Sequence, residues 1–269
     1  MICVDHDARK LEMLKSGHPP FHEPGLAEAL NAQIKCGRLR FDSSIGRSMA
    51  HAECAFLAVG TPPHDDGRAD LGNLLQCVRE LADTAFGDCL IVIKSTVPVG
   101  TGDRIDSMLN EQGSMACIRP RVYVASNPEF LAEGQALKDF RHPERIVIGV
   151  QEDDAAALLA DLYAPFNRDG QRLLVMDRRS AEFSKYACNA MLAARVSMVN
   201  ELAGIAEGLN ANMDDVLSVL RTDLRIGNAY LNPGMGYGGS CLPKDLQALI
   251  HLAASIEEPA DMLHSVSAN

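Results

Sequence analysis

Six short runs of consecutive apolar residues, most followed by a helix-like stretch, leave this chain few folds to adopt. Residues 2–4, 54–59, 90–93, 122–125, 146–150 and 173–176 are the candidate strands. A strand that is apolar at successive positions must be buried on both faces. Amphipathic segments at 25–36, 71–85 and 153–163 lie between these runs and can cover a sheet. The alternation predicts right-handed βαβ crossovers and a doubly wound parallel α/β sheet. From about Arg178 the pattern changes. Residues 180–209 read as one Ala-rich helix of roughly eight turns, followed by shorter helices at 212–220 and 243–254. The expected division is therefore 1–177 for the sheet domain and 178–269 for a helical one. A long helix after such a sheet is commonly a dimer spine; the plainer reading is a buried helix crossing the domain face.

Composition narrows the function classes. A net charge of −11 disfavours nucleic acid or an anionic membrane as the principal partner, though not an anionic small molecule. Eight cysteines, at 3, 36, 54, 77, 89, 117, 188 and 241, contain no C-x-x-C pair. They read as reduced core residues of a cytoplasmic protein. The histidines show no metal-ligand spacing, so no metal is expected. No secretory or membrane-spanning run is evident.

The densest chemical signal is Gly236-Tyr-Gly-Gly-Ser-Cys-Leu-Pro-Lys-Asp245. Three glycines strip away bulk before Cys241, and Pro243 suits the first turn of a helix. Cys241 is thereby expected at a helix N-terminus, where the dipole and free N–H groups favour thiolate. Lys244 adds positive charge, and Asp245 would share the helical face of the cysteine. The alternative is a buried, inert thiol.

Asp5 closes the first strand, where an acid can bind the ribose hydroxyls of NAD or simply cap a helix. Lys10 follows one turn later. No G-x-G-x-x-G precedes Asp5, so the chain reads as beginning at the second strand of its nucleotide domain. Lys94-Ser-Thr-Val-Pro-Val-Gly100 places Ser95 and Thr96 at the carboxyl edge of the sheet, for ligand binding or for N-capping. Asn127-Pro-Glu-Phe-Leu-Ala-Glu-Gly134 follows another strand. A helix begun near Pro128 would set Glu129 and Glu133 on one face, for proton handling, hydroxyl binding or solvation. In Ser184-Lys-Tyr-Ala-Cys-Asn-Ala190, Lys185 and Asn189 are four apart and could stabilise an oxyanion, or lie on the surface.

With Val4-Asp5, Glu23-Pro-Gly25, Ala58-Val-Gly-Thr-Pro62 and Asp223-Leu-Arg-Ile-Gly227, these motifs resemble, in order and over nearly the whole chain, the UDP-glucose/GDP-mannose dehydrogenase family. The resemblance implies a Rossmann-like domain lacking its first strand, and an all-α central domain. It also implies two-step, NAD-dependent oxidation of UDP-glucose to UDP-glucuronate through a thiohemiacetal and a thioester on Cys241. Lys185 and Asn189 would then stabilise the oxyanion, Thr96 and Asp245 would position water, and Glu129 would act as acid–base partner. Asp5, Lys10, Thr61, Thr96, Glu133 and Lys244 match positions around NAD. Glu129, Phe130, Leu131, Glu133, Lys185, Asn189, Tyr230, Leu231, Asn232, Pro233, Gly234 and Gly238 match positions around the nucleotide sugar. Arg225 matches a residue that reaches the substrate from a partner subunit, so a homodimer through 180–209 is implied.

The glycine fingerprint and a C-terminal UDP-binding domain of that family are absent. Loss of a central strand forfeits about 10 kcal/mol of burial, comparable to the roughly 5–15 kcal/mol stability of a domain. The chain alone is therefore expected to fold poorly and turn over little substrate. The competing expectations are a GDP-mannose or UDP-N-acetylhexosamine 6-dehydrogenase, and an inactive copy acting only as a dimerising partner. A cysteine hydrolase is disfavoured because no histidine lies in any motif.

Overall fold

The computed structural model describes residues 1–49, 52–84, 88–113 and 122–268. They divide into two compact units, Met1–Thr61 with Leu71–Glu182, and Pro62–Asp70 with Phe183–Asn269. The first unit runs β1 (Ile2–Val4), α1 (Ala8–Lys15), α2 (Leu26–Lys35), β2 (Arg40–Asp42), α3 (Ile45–Met49), β3 (Cys54–Leu57) and α4 (Gly72–Thr84). It continues through β4 (Cys89–Ile93), α5 (Thr101–Gly113), β5 (Val122–Ser126), α6 (Ala136–Arg141), β6 (Ile146–Gly149), α7 (Asp153–Tyr163) and β7 (Leu173–Met176). The division between units falls inside α8 (Arg178–Gly208); α9 (Met213–Thr222), α10 (Leu242–Ser255) and α11 (Asp261–Ala268) complete the second unit.

All six expected strands form. The doubly wound architecture follows from β4, whose five residues are all buried. Cys89, Ile91 and Ile93 pack into a core with Leu74, Val78 and Leu81 of α4 and Ile105 of α5. Leu90 and Val92 enter a separate core with Ala155, Leu159 and Tyr163 of α7. Successive side chains of one strand thus bury against helices on opposite faces, as its unbroken apolar run requires.

Strands β3 to β7 form one sheet in sequence order, parallel except for a single antiparallel pair, Ser126↔Gly149, where β6 meets β5. β1 and β2 pair in parallel as a separate two-stranded sheet. The margins are half exposed: Ile2, Phe56 and Val175 retain 45%, 40% and 52% of their accessible surface. β2 escaped the sequence reading because Arg40-Phe-Asp42 is only three residues long, with a charge at each end. Helices α3 and α11 were also unforeseen. Ala85 of the expected 71–85 helix lies outside the described residues.

α8 matches the expected long helix. Arg178, Ala181, Lys185, Tyr186, Asn189, Ala193 and Ser197 are buried at three- and four-residue spacing. In its second turn the buried Glu182 carboxylate accepts from Gly100 N (2.6 Å), Gly102 N (2.8 Å) and Ser126 Oγ (2.9 Å). Burial pushes this carboxyl up, against the pull of its three donors. The bonds secure the start of α5 beside the end of β5, a junction the sequence reading did not foresee.

Where α8 begins, a Cβ on Gly149 would lie 2.5 Å from Ala181 Cβ and 2.9 Å from Arg178 Cα. Gly149→Ala should therefore cost about 1–3 kcal/mol through overpacking. That corresponds to a thermal midpoint lower by roughly 3–10 °C. Gly204→Ala, with nothing within 4 Å of its added methyl, should raise the midpoint slightly, because alanine suits a helix interior better. Calorimetry of the two variants checks the opposite signs.

Candidate active site

In the first unit, Leu57 pairs with Ile93 and Ile93 with Ser126. The segments leaving β3, β4 and β5 therefore emerge side by side at one sheet edge, the usual ligand edge of an open α/β sheet. Ser95 Oγ donates to Val59 O (2.6 Å) and Leu57 O (3.2 Å), and Thr61 Oγ1 donates to Thr96 O (2.7 Å). These hydroxyls lace the segments together. Neither Ser95 nor Thr96 is an N-cap, because α5 begins only at Thr101.

Asp5 follows β1 as expected, but Asp7 caps α1, accepting from Arg9 N and Lys10 N at 2.9 and 3.3 Å. Asp5 instead accepts from Asp7 N (2.9 Å) and lies 3.6 Å from Lys10 Nζ, with 31% of its side chain exposed. Asp5 is thus a partly exposed carboxylate, held by its own turn and freed from capping.

The helix expected from Pro128 does not form. Residues 127–132 belong to no helix or strand, 133–135 turn, and α6 starts at Ala136. Side chains take the amide groups that a helix would have used. Glu129 accepts from Leu131 N (2.7 Å), Asp139 accepts from Ala132 N (2.9 Å), and Gly134 stands at φ +80°. Glu129 and Glu133 consequently do not share a helical face. Asn127, 1% exposed, anchors the start of this loop. Its Nδ2 donates to Val147 O (2.7 Å), while its Oδ1 accepts from Tyr163 OH (2.5 Å) and Lys94 Nζ (3.4 Å). Phe130 stacks under the Arg145 guanidinium at 4.3 Å and, with Leu131, lines a small pocket bounded by Phe140 and Phe166. The anchoring roles of Asn127 and Tyr163 were missed; an amide directly before Pro128 at a strand end was the available signal.

In the second unit, Lys185 and Asn189 are 5% and 6% exposed, which excludes the surface reading. Asn189 Nδ2 donates to Asp245 Oδ2 and Lys244 Nζ to Asp245 Oδ1, both at 2.6 Å. Asp245, 1% exposed, is thus gripped on each oxygen. Cys241 is the N-cap residue of α10 and is exposed, with Pro243 in the first turn as expected. Its carbonyl accepts from Asp245 N (2.9 Å), and its Sγ lies 3.6 Å from Ser240 Oγ.

The loop before α10 carries the remaining candidates. Leu231 is buried with Val199 and Leu217, Asn232 Oδ1 accepts from Arg221 Nη2 (2.6 Å), and Gly234 N donates to Asn200 Oδ1 (2.8 Å). Tyr230 stands at φ +59° and is 44% exposed, Pro233 is exposed, and Gly238 faces open space. Arg225 is exposed and paired to Asp223 (2.6 and 2.9 Å).

The core assignment of the cysteines needs correcting. Among the described residues all are free, but only Cys89 is buried; Cys3, Cys54, Cys77 and Cys188 are intermediate, and Cys36 and Cys241 are exposed. Cys36 is the exposed C-cap residue of α2. Cys117 lies outside the described residues. No group able to hold a metal occurs among the described residues, and no described helix is long and apolar enough to cross a membrane.

Residues 1–167 match the NAD binding domain of the UDP-glucose/GDP-mannose dehydrogenase family, and residues 179–269 match its central domain. A UDP-glucose 6-dehydrogenase of Pseudomonas aeruginosa is 44% identical over 266 residues, covering 99% of this chain and 59% of the relative. UDP-glucose 6-dehydrogenase YwqF of Bacillus subtilis is 40% identical, with the same coverage of 99% and 59%. The structure of a UDP-glucose dehydrogenase from Pyrobaculum islandicum superposes with a TM-score of 0.92 at 38% identity, over 98% of this chain and 61% of that one. The chain thus spans 59% of the length of these two curated relatives.

Burial pushes the Cys54 thiol up to about 12 and that of Cys89 to about 11. Groups so raised stay protonated at every lower pH, and the thiol is the unreactive form. Brief treatment with iodoacetamide at pH 8 should label Cys36 and Cys241 and spare Cys54 and Cys89 until the chain is unfolded. Peptide mass spectrometry reads the pattern directly.

Proposed function

The chain belongs to the UDP-glucose/GDP-mannose dehydrogenase family, and from that premise we propose that the full-length protein oxidises UDP-glucose to UDP-glucuronate in two steps. One observation carries the reading. A buried carboxylate, Asp245, is gripped by Asn189 and Lys244 within one helical turn of an exposed cysteine at a helix start. The names of the relatives at 40–44% identity favour UDP-glucose over the other nucleotide sugars of the family.

NAD, when bound, supplies the hydride acceptor for both oxidations. In the first unit, Asp5, Lys10, Thr61, Thr96 and Glu133 are the proposed cofactor residues. The Asp5 carboxylate, with 31% of its side chain exposed, takes the ribose hydroxyls. Phe130, Leu131 and the 230–238 loop are the proposed sugar-nucleotide contacts.

The sulfur chemistry belongs to the second unit. Once the C6 alcohol has become an aldehyde, Cys241 Sγ attacks the carbonyl carbon, and the new C–S bond gives a thiohemiacetal. Lys185 and the free N–H of Asn189 hold the resulting oxyanion; both sit in a dry environment, where such donors count most. The second oxidation breaks the remaining C–H bond and leaves a thioester. Water positioned by Asp245 then adds to the acyl carbon, the C–S bond breaks, and the carboxylate leaves as sulfur regains its proton. A thioester cleaves more readily than an ester or amide, which is why sulfur serves here. Thr96 and Glu129 take water-positioning and acid–base roles by resemblance to the family.

We also propose a homodimer through α8. Met191, Met198, Leu202, Ile205 and Leu209 remain 65%, 57%, 36%, 51% and 73% exposed. Steps of seven, four, three and four residues set them in one narrow stripe, opposite the buried face. Arg225 is then the residue offered to the neighbouring subunit.

Cys241→Ser should lower NADH formation with UDP-glucose by roughly a thousandfold or more, the scale of nucleophile loss. A Lys185→Ala variant incubated with UDP-glucose and NAD should accumulate a sugar adduct on Cys241, visible by mass spectrometry. Undiminished glucuronate from Cys241→Ala would refute the covalent route. For the dimer, Leu202→Glu with Ile205→Glu should convert the protein to monomers in light scattering; unchanged mass would discard the stripe as the interface.

A further inference from the structure

Glu23 lies in the loop before α2, 111 and 114 residues from the two amides it holds. Its Oε2 accepts from Gly134 N (3.1 Å) and its Oε1 from Leu137 N (3.3 Å). Both amides sit where the 127–135 loop turns into α6. That turn lacks a cap of its own, because the side chain of Gln135, the N-cap residue, makes no capping bond. The first N–H groups of a helix have no partner within it, so a side-chain acceptor must come from elsewhere. Here it comes from the Glu23-Pro-Gly segment. Gly25, at φ +79°, lets this segment come close: a Cβ there would lie 3.3 Å from Leu137 Cδ2.

The same loop is fixed at its start by Asn127, held by Val147 O, Tyr163 OH and Lys94 Nζ. Between the two anchors run Glu129, Phe130, Leu131 and Glu133, along a loop backbone that belongs to no helix or strand. Such a segment keeps one shape only if its ends are pinned.

We propose that Glu23 is a positioning residue: its carboxylate clamps the downstream end of the 127–135 loop, and so sets Phe130, Leu131 and Glu133 for the nucleotide sugar. The inference rests on the proposed function for its substrate and on the two hydrogen bonds for its geometry. A carboxylate suits the task because it offers two acceptor oxygens to two amides at once. Glutamine keeps one acceptor oxygen; alanine keeps none.

Two measurements on Glu23→Gln and Glu23→Ala decide it. Hydrogen exchange at the Gly134 and Leu137 amides should quicken about tenfold or more in Glu23→Ala, the scale of one lost hydrogen bond to a charged group. Glu23→Gln should fall between Glu23→Ala and the unsubstituted protein. In the full-length protein, KM for UDP-glucose should rise by about tenfold in Glu23→Ala, again on the scale of one such bond. KM for NAD should rise by less, because Glu133 is the loop's one proposed cofactor residue, and Glu23→Gln should recover part of the loss. Unchanged exchange in Glu23→Ala would overturn the clamp. Faster exchange with an unchanged KM for the sugar, or with an equal rise for NAD, would overturn the positioning role. If the unsubstituted protein does not oxidise UDP-glucose, the functional reading fails, and exchange at the two amides still decides the clamp.

Discussion

The complete burial of β4 is the constraint on which the first unit depends. Its residues must find apolar partners on both faces at once, so helices are forced onto each side of the sheet. Its parallel pairing with β3 and β5 then brings the segments after all three strands to one edge. Thr61, Thr96 and the 127–135 loop are neighbours for that reason, although 66 residues separate Thr61 from Asn127. Hydroxyl and amide bonds from Ser95, Thr61 and Asn127 stabilise this edge where ladder bonds stop.

A different device organises the second unit. α8 carries Lys185 and Asn189 on its buried face, and α10 brings Asp245 to meet Asn189. Burying a carboxylate is costly unless each oxygen is bonded, and Asp245 meets that condition with Asn189 on one oxygen and Lys244 on the other. Cys241, one turn earlier, is left exposed. A fixed, dry acid and an accessible sulfur thus stand about one turn apart at the start of one helix.

Much of this was legible in the residues. The apolar runs located all six expected strands, because burial on two faces leaves no polar position to blur the pattern. Pro243 and the preceding glycines placed Cys241 at a helix start. The errors have physical causes. The Pro128 helix was inferred from carboxylate spacing, whereas side-chain acceptors from Glu129 and Asp139 took the amides that would have built it. Asp5 yielded the cap to Asp7, because the helix starts one residue beyond Asp7, not beyond Asp5. Cys36, the C-cap residue of α2, is exposed because it lies past the end of the helix rather than within it.

The residues by themselves determined the six apolar strands, the long helix α8, the helix start at Cys241 and the family to which the chain belongs. These follow from apolar periodicity, from proline and glycine geometry, and from ordered motifs. Tertiary structure alone decided which distant polar groups became partners: Asn189 with Asp245, Glu182 with the start of α5, and Glu23 with Gly134 and Leu137. Each of these pairs is separated by 56 or more residues. Local pattern carries no record of such separation, because an acceptor is chosen by where packing delivers it and by the cost of leaving a buried group unpaired.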